Sequence, residues 1–378
     1  MSELSTTDAA AREAILHELS LSLIDGVGPR IYQQLREAFG DAKGALTASM
    51  TELRSVPGVG SVLAERIRAG SDLVAAEEEV SFCRSANVRI LSVASPDYPA
   101  ALREIPDPPA ILFVRGEILS RDEAAVAIVG TRHCTTYGKK QAERFASGLA
   151  SAGIAIVSGL ARGVDKAAHE GALSAGGRTL AVLGSGVCEI YPPEHAELSE
   201  RVIAAGALIS EGPPRRTAIR GAFPQRNRIV TGLSRALLVI EADTQSGAMI
   251  SARHAMEQNR EVFALPGRID DRTSHGCHRL IRDGARLLES VEDVLEELGP
   301  MPSPVRLDEQ TVLRKPAELL LNEQEAQVLQ AIPGSPIDID SLVVATGLPV
   351  HRILATLSVL ETRRLVRRIS GQTVMRAN

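Results

Sequence analysis

Between residues 125 and 265 the chain repeats one pattern: a short apolar run, a glycine or polar break, then an amphipathic stretch. The runs are Val126-Ala127-Ile128-Val129, Ile154-Ala155-Ile156-Val157, Leu180-Ala181-Val182-Leu183, Ala207-Leu208-Ile209, Leu237-Leu238-Val239-Ile240 and Val262-Phe263-Ala264-Leu265. Apolar residues at every position suit strands buried on both faces, and strands separated by helix-length segments pair in parallel. The pattern predicts an α/β domain built on a doubly wound, Rossmann-like parallel sheet. Most runs end in Gly130-Thr131-Arg132, Ser158-Gly159, Gly184-Ser185-Gly186, Ser210-Glu211 or Pro266-Gly267. In open parallel sheets a ligand sits beyond the carboxyl ends of the strands, so these loops mark the expected site.

At 378 residues the chain exceeds what one core usually serves, and smaller modules are expected on either side of the sheet. Asp25-Gly26-Val27-Gly28-Pro29 recurs 32 positions later as Pro57-Gly58-Val59-Gly60-Ser61, with apolar residues at matching offsets (Ile31 and Leu35, Leu63 and Ile67). The repeat predicts two helical hairpins, a helix-hairpin-helix, SAM-like domain over residues 1–79. With Arg30, Arg36, Arg66 and Arg68 nearby, such turns serve either DNA contact or helix packing and protein joints. Residues 80–120, rich in proline, read as an irregular connection into the domain ending at 298. Residues 299–318 read as a linker, and residues 319–378 as a winged helix. Its helices are expected at 323–332, 339–346 and 350–364, the third burying Ile353, Leu354, Leu357 and Leu360. A hairpin turning at Ser370-Gly371 carries Arg367 and Arg368.

The chain has no Trp, 4 Tyr and 6 Phe, so its core rests on aliphatic side chains and stacking platforms are not expected. The longest uncharged run, residues 145–161, approaches the roughly 18 residues of a spanning helix, but serines and glycines break it into helix, turn and strand. No secretory signal is read at the N-terminus, and four scattered cysteines fit a reducing cytoplasm. The net charge of −5 disfavours a polyanion on average, yet the basic residues are concentrated. Arg215, Arg216, Arg220, Arg226, Arg228 and Arg235 occur with no acid among them, and Arg352, Arg363, Arg364, Arg367, Arg368 and Arg376 with only Glu361.

The chemistry these residues exclude is as informative. Gly184-Ser185-Gly186 lacks the third glycine of a dinucleotide fingerprint and no P-loop lysine motif occurs, so neither NAD nor another cofactor is expected. Ser158-Gly159-Leu160-Ala161-Arg162-Gly163 leads into a helix bearing Asp165 and His169, a turn suited to a phosphate with Arg162 adding a charged contact. Ser158, Asp165 and His169 invite a nucleophilic reading, but the i, i+4 pair serves equally as helix support, and no catalytic residue is assigned. His275-Gly276-Cys277-His278 lacks a second ligand pair at metal spacing, and no metal is expected. Glu211, Glu241 and Asp243 end strands, the positions a metal-dependent nuclease would use, but the Arg226, Asn227 and Arg228 cluster between them suits an anion better.

Val126-Ala127-Ile128-Val129-Gly130-Thr131-Arg132 with Thr136-Tyr137-Gly138, Ser158 to Asp165 with Ala168-His169, and Phe223-Pro224-Gln225-Arg226-Asn227-Arg228-Ile229-Val230 occur in that order. They are followed by Ser246-Gly247, Leu265-Pro266-Gly267 and Gly276-Cys277 with Leu280-Ile281-Arg282-Asp283-Gly284-Ala285. Together these motifs resemble the DNA processing protein A (DprA/Smf) family over nearly the whole chain. The resemblance implies a homodimer, not an enzyme, that binds and protects incoming single-stranded DNA and loads the RecA recombinase during natural transformation. Carried over by position, it implies a DNA groove at Gly130, Thr131, Arg132, Ser158, Gly159, Arg162, Gly163, Arg226, Asn227 and Arg228. His278 stands where the family usually has Asn, and Ala248-Met249 follow Ser246-Gly247 where a polar residue and Leu are common.

The residues alone agree in kind: arginines at strand-end loops suit a phosphate backbone rather than base reading. A rival on a related sheet is a nucleoside-monophosphate phosphoribohydrolase-like enzyme, but Pro266-Gly267-Arg268 interrupts the glycine run it needs. A purely regulatory DNA-binding protein acting through the winged helix is the other.

Overall fold

The computed structural model describes residues 3–219, 221–299, 323–332, 337–362, 365–368 and 373–376. They fall into two compact units, Met1–Pro300 and Met301–Asn378. The first begins with helices α1 (Glu3–Leu23), α2 (Pro29–Phe39), α3 (Ala42–Thr47), α4 (Met50–Ser55), α5 (Ser61–Ala69) and α6 (Val74–Ser85). Strand β1 (Arg89–Ser92), helix α7 (Ala100–Arg103) and strand β2 (Ile111–Gly116) follow. Then come β3 (Ala125–Val129), α8 (Thr136–Ser151), β4 (Ala155–Ser158), α9 (Val164–Ser174), β5 (Thr179–Val182), α10 (Ala196–Ala205) and β6 (Ala207–Ser210). The unit closes with α11 (Ala222–Gly232), β7 (Ala236–Val239), α12 (Gly247–Glu257), β8 (Glu261–Ala264), α13 (His275–Arg282), β9 (Arg286–Leu287) and α14 (Val291–Leu298).

The nine strands lie in the order β1-β2-β6-β5-β4-β3-β7-β8-β9. All six apolar runs are strands of this sheet, and from β6 to β9 every neighbour is parallel. The order reverses at β3, which has β4 on one side and β7 on the other. The structure corrects the reading of residues 80–120 as irregular: β1 pairs antiparallel with β2, and β2 antiparallel with β6, extending the sheet. The 145–161 run is the end of α8, a turn and β4.

Alternation along the strands divides the core. Leu112, Val114, Ala125, Ala127, Val129, Leu180 and Val182 face one apolar layer. Ile111, Phe113, Ala181 and Leu208 face the other, which they share with Leu19, Leu35, Leu53 and Ile67 of the helical segment. Burying each such aliphatic side chain contributes about 1.5–3 kcal/mol, so the helices are fastened to the sheet by hydrophobic area. The repeated turns pack on each other reciprocally. A Cβ on Gly58 would stand 2.7 Å from Ile31 Cδ1, and one on Gly26 3.1 Å from Leu63 Cδ1. Both glycines also have positive φ (80° and 100°), so packing and turn geometry account for them.

The second unit contains α15 (Glu323–Ala331), β10 (Ile337–Asp338), α16 (Ile339–Thr346), α17 (Val350–Thr362), β11 (Val366–Arg368) and β12 (Thr373–Arg376). β12 pairs antiparallel with β11 and β10, a winged-helix arrangement. Ile353, Leu357 and Leu360 are buried as expected, whereas Leu354 is 37% exposed, turned away from the three-helix core. Arg363, Arg364, the Ser370-Gly371 turn and the 299–318 linker, Gly299 apart, lie outside the described residues. Among the described residues, no single helix is long and apolar enough to cross a membrane.

Candidate functional site

Loops leaving β3, β4 and β5 meet at the carboxyl edge of the sheet. A pocket there is lined by Arg132, Gly159, Ala161, Arg162, Gly184, Tyr191, Pro192 and Phe223. Each loop is pinned by backbone chemistry. Thr131 N donates to Glu241 O at 2.7 Å, and Val164 N to Thr131 O at 3.2 Å, so the first loop is held between β7 and the start of α9. Gly130 and Gly163 are required by close approach: a Cβ on Gly130 would stand 2.8 Å from Glu241 O, and one on Gly163 2.3 Å from Thr131 O. His195 Nδ1 donates to Leu160 O at 2.9 Å, fixing the second loop from the third.

Two arginines face out of this frame. Arg132 is exposed, and its guanidinium lies 5.1 Å from the centre of the Phe223 ring. Phe223 in turn is tilted against Tyr191, with ring centres 5.6 Å apart. Arg162 is half exposed and pairs with Glu194 at 2.5 Å. That bond holds the Glu194 carboxyl below the usual range and raises the Arg162 guanidinium. The site therefore combines two cations, one of them paired with Glu194, with an aromatic flank, a combination chemically suited to a phosphate and the flat face of a base. Tyr191 and Phe223 were not expected in a platform. The available signal was the position of Phe223 at the head of the Phe223-Pro224-Gln225-Arg226-Asn227-Arg228 motif.

Three of the residues the sequence placed in the groove turn their side chains inward. Ser158 is fully buried, and its hydroxyl donates to Ile128 O at 2.6 Å. Arg226 is buried beneath Gly159, donating through Nη1 to Val182 O, and a Cβ on Gly159 would collide with its guanidinium. Arg228 is buried and bridges Asp107 (3.0 Å) and Glu211 (2.7 Å). Asn227 is half-buried and donates from Nδ2 to Gly247 O at 3.3 Å, tying α11 to α12.

The Ser158, Asp165 and His169 trio is not arranged as a relay. Thr179 Oγ1 donates its proton to Ile156 O, so His169 Nδ1 donates to Thr179 at 2.7 Å, a partner outside the trio. Burial pushes His169 down to about 3, leaving it neutral. Asp165 accepts from Ala161 N at 3.3 Å; burial raises its carboxyl and the Arg226 cation opposes that shift. The strand-end carboxylates are also engaged. Glu241 accepts from Thr135 N at 2.8 Å and Oγ1 at 2.5 Å, a carboxylate at the N-terminus of α8. Asp243 pairs with Arg272 at 2.6 Å. In the His275-Gly276-Cys277-His278 segment the side chains diverge: His275 meets Ile269 O, His278 meets Gly267 O, and Cys277 Sγ donates to Val239 O. Among the described residues, no group of three His, Cys, Asp or Glu is placed to hold a metal ion.

Comparison with known proteins gives this geometry a context. Residues 89–299 match the family model described as DNA recombination-mediator protein A, and residues 313–372 the DprA winged helix domain. The chain is 34% identical to protein Smf of Synechocystis over 95% of its own length and 98% of that protein's. It is 43% identical to DNA processing protein DprA of Streptococcus pneumoniae, over 54% of this chain and 73% of that one. The X-ray structure of DprA from Streptococcus pneumoniae aligns with a TM-score of 0.64 at 33% identity, covering 74% of this chain and 95% of that one. A Helicobacter pylori DprA structure, described for its single-stranded DNA binding mode, aligns with a TM-score of 0.51 at 32% identity, covering 56% and 95%. An α/β Rossmann-like sheet joined to a winged helix, with matches of this extent, places the chain in the DNA processing protein A family.

Proposed function

We propose that the chain binds single-stranded DNA through backbone phosphates, across the surface that the loops after β3, β4 and β5 present around Arg132 and Arg162. The observation that carries this reading is the convergence of Arg132 and Arg162, both solvent-facing, on one pocket. Gly130, Thr131, Gly159 and Gly163 shape the loops that present them; Ser158 and Arg226 support those loops from beneath, while Asn227 and Arg228 fix α11 to neighbouring segments. Phe223 and Tyr191 offer one base a stacking surface, and the described Helicobacter pylori relative binds the same class of ligand. We further read the protein as a cytoplasmic homodimer that protects incoming strands and loads RecA during natural transformation, acting without turnover. Family membership supports this part. It is tested by adding the protein to RecA and coated single strands: the lag before filament growth should shorten, and hydrolysis of DNA or adenosine monophosphate should stay at background.

For the pocket itself, Arg132→Ala and Arg162→Ala should each weaken binding of a labelled oligonucleotide roughly 10- to 100-fold, the range for charged hydrogen bonds. Melting should be nearly unchanged, since both side chains face solvent. Each lost phosphate contact should also flatten the slope of log affinity against log salt by about 0.7. Wild-type binding by both variants would place the groove elsewhere.

Glu194 makes the opposite prediction. Its carboxylate occupies Arg162 in the free protein, so a phosphate must displace it. Glu194→Gln should strengthen single-strand binding about two- to five-fold, the gain shrinking as salt screens the exposed pair. Weaker binding by this variant, measured by anisotropy at fixed salt, would show that the pair orients Arg162 instead of competing for it.

A further inference from the structure

The segment that follows β6, residues 211–219, lies beside the loop after β5 and is not accounted for by the site above. Gly186 N donates to Arg216 O at 2.8 Å and Cys188 N to Pro214 O at 2.9 Å, so the segment runs beside the loop that follows β5. The approach is close enough to demand glycine: a Cβ on Gly186 would stand 2.2 Å from the carbonyl oxygens of both Pro213 and Pro214. Gly184, which lines the pocket, is two residues from Gly186. Two residues span at most about 7 Å, so the Arg216 backbone is a short step from the pocket rim.

The side chains on this segment are cationic and placed outward. Arg216 is exposed and lies across Gly212, where a Cβ would stand 2.6 Å from its Cδ. No ion pair or side-chain hydrogen bond engages its guanidinium among the described residues. Arg215 beside it stacks 4.4 Å over Phe82 and faces Glu79 at 3.8 Å, which anchors the segment to α6. No acid occurs in the sequence between Glu211 and Glu241, and Glu211 is engaged by Arg228 at 2.7 Å. A guanidinium without an ion pair or side-chain hydrogen bond, on a docked loop whose backbone passes beside the loop that lines the pocket, is suited to a second phosphate contact along one strand.

We propose that a single strand held at Arg132 and Arg162 continues over residues 212–219, with Arg216 binding the phosphate of a nucleotide outside the pocket. This rests on the single-strand reading of the pocket and extends it by a direction: the strand leaves along the β6–α11 segment, toward the helical elements. Length dependence tests it. Arg216→Ala and Arg216→Glu are compared with wild type by anisotropy competition, using a four-nucleotide and a twenty-nucleotide thymidine strand across a salt series. Arg216→Ala should weaken the long strand three- to ten-fold and reduce its salt slope by about 0.7, with Arg216→Glu weakening it further. The short strand should change less than two-fold. An unaltered long-strand affinity overturns the extension, and equal losses at both lengths overturn it by assigning Arg216 to the pocket. If Arg132→Ala and Arg162→Ala leave both lengths unaffected, the pocket reading itself falls, a pattern distinct from either outcome for Arg216.

Discussion

Arg228→Ala should lower the free energy of unfolding by about 2–4 kcal/mol, in contrast to the near-neutral effect expected at Arg132. Arg228 is 4% exposed, and its guanidinium makes two carboxylate bonds, to Asp107 ahead of β2 and Glu211 after β6. Removing one partner of a buried ionic group strands the others, which typically costs about 3–5 kcal/mol. Asp107 and Glu211 are each about one-third exposed, so water recovers part of that loss and the estimate sits lower. Arg228→Lys should fall between, because an ammonium cannot span both carboxylates in the fork geometry. Urea unfolding of the three proteins, together with strand binding under native conditions, decides the role. A variant as stable as wild type but defective in binding would return Arg228 to the groove.

Gly163→Ala should cost about 2–4 kcal/mol of stability and abolish most strand binding. Gly163 has φ 76° and ψ −123°, a region essentially closed to residues with a Cβ, and that strain alone is worth about 1–3 kcal/mol. The added carbon would also stand 2.3 Å from Thr131 O and 2.7 Å from Arg132 C, so the loop after β3 must move away from α9. That displacement shifts Arg132 and Arg162 together. Gly176→Ala separates the two causes, since Gly176 has φ 66° but nothing within 4 Å of a new Cβ. It should lose only about 1 kcal/mol and bind normally. Equal behaviour of the two variants would mean that φ strain, not the contact between loops, sets the cost.

These two positions show how differently parts of the site were readable. Gly163 stands in a glycine turn directly after a strand run, and a turn needing positive φ leaves a local mark. Arg226 and Arg228 carry no such mark. They are two apart on α11, on nearly opposite sides of a helix, and an exposed α11 would put at least one of them in solvent. Both are buried because α11 is enclosed, with Arg226 reaching Val182 of β5 and Arg228 reaching Asp107 and Glu211. Arginine clusters in sequence therefore told of charge but not of depth. The same holds for β1 and β2: β2 finds its partners in β1, from which 18 residues separate it, and in β6, about ninety residues later, and proline-rich surroundings masked its apolar run.

Read alone, the sequence determined the six central strands, their parallel pairing, the glycine and polar turns at their carboxyl ends, and the terminal winged helix. Those features follow from short-range patterning, because a strand buried on both faces must be apolar throughout and a turn at its end must be glycine or polar. Tertiary structure alone decided which arginines face water, that Tyr191 and Phe223 meet beside Arg132, and that Glu194 covers Arg162. Each depends on where elements 30 or more residues apart come to rest: Arg162 and Glu194 are 32 positions apart, and Arg228 and Asp107 are 121. Sequence patterns record what surrounds a residue along the chain, whereas burial and pairing are set by neighbours from distant segments.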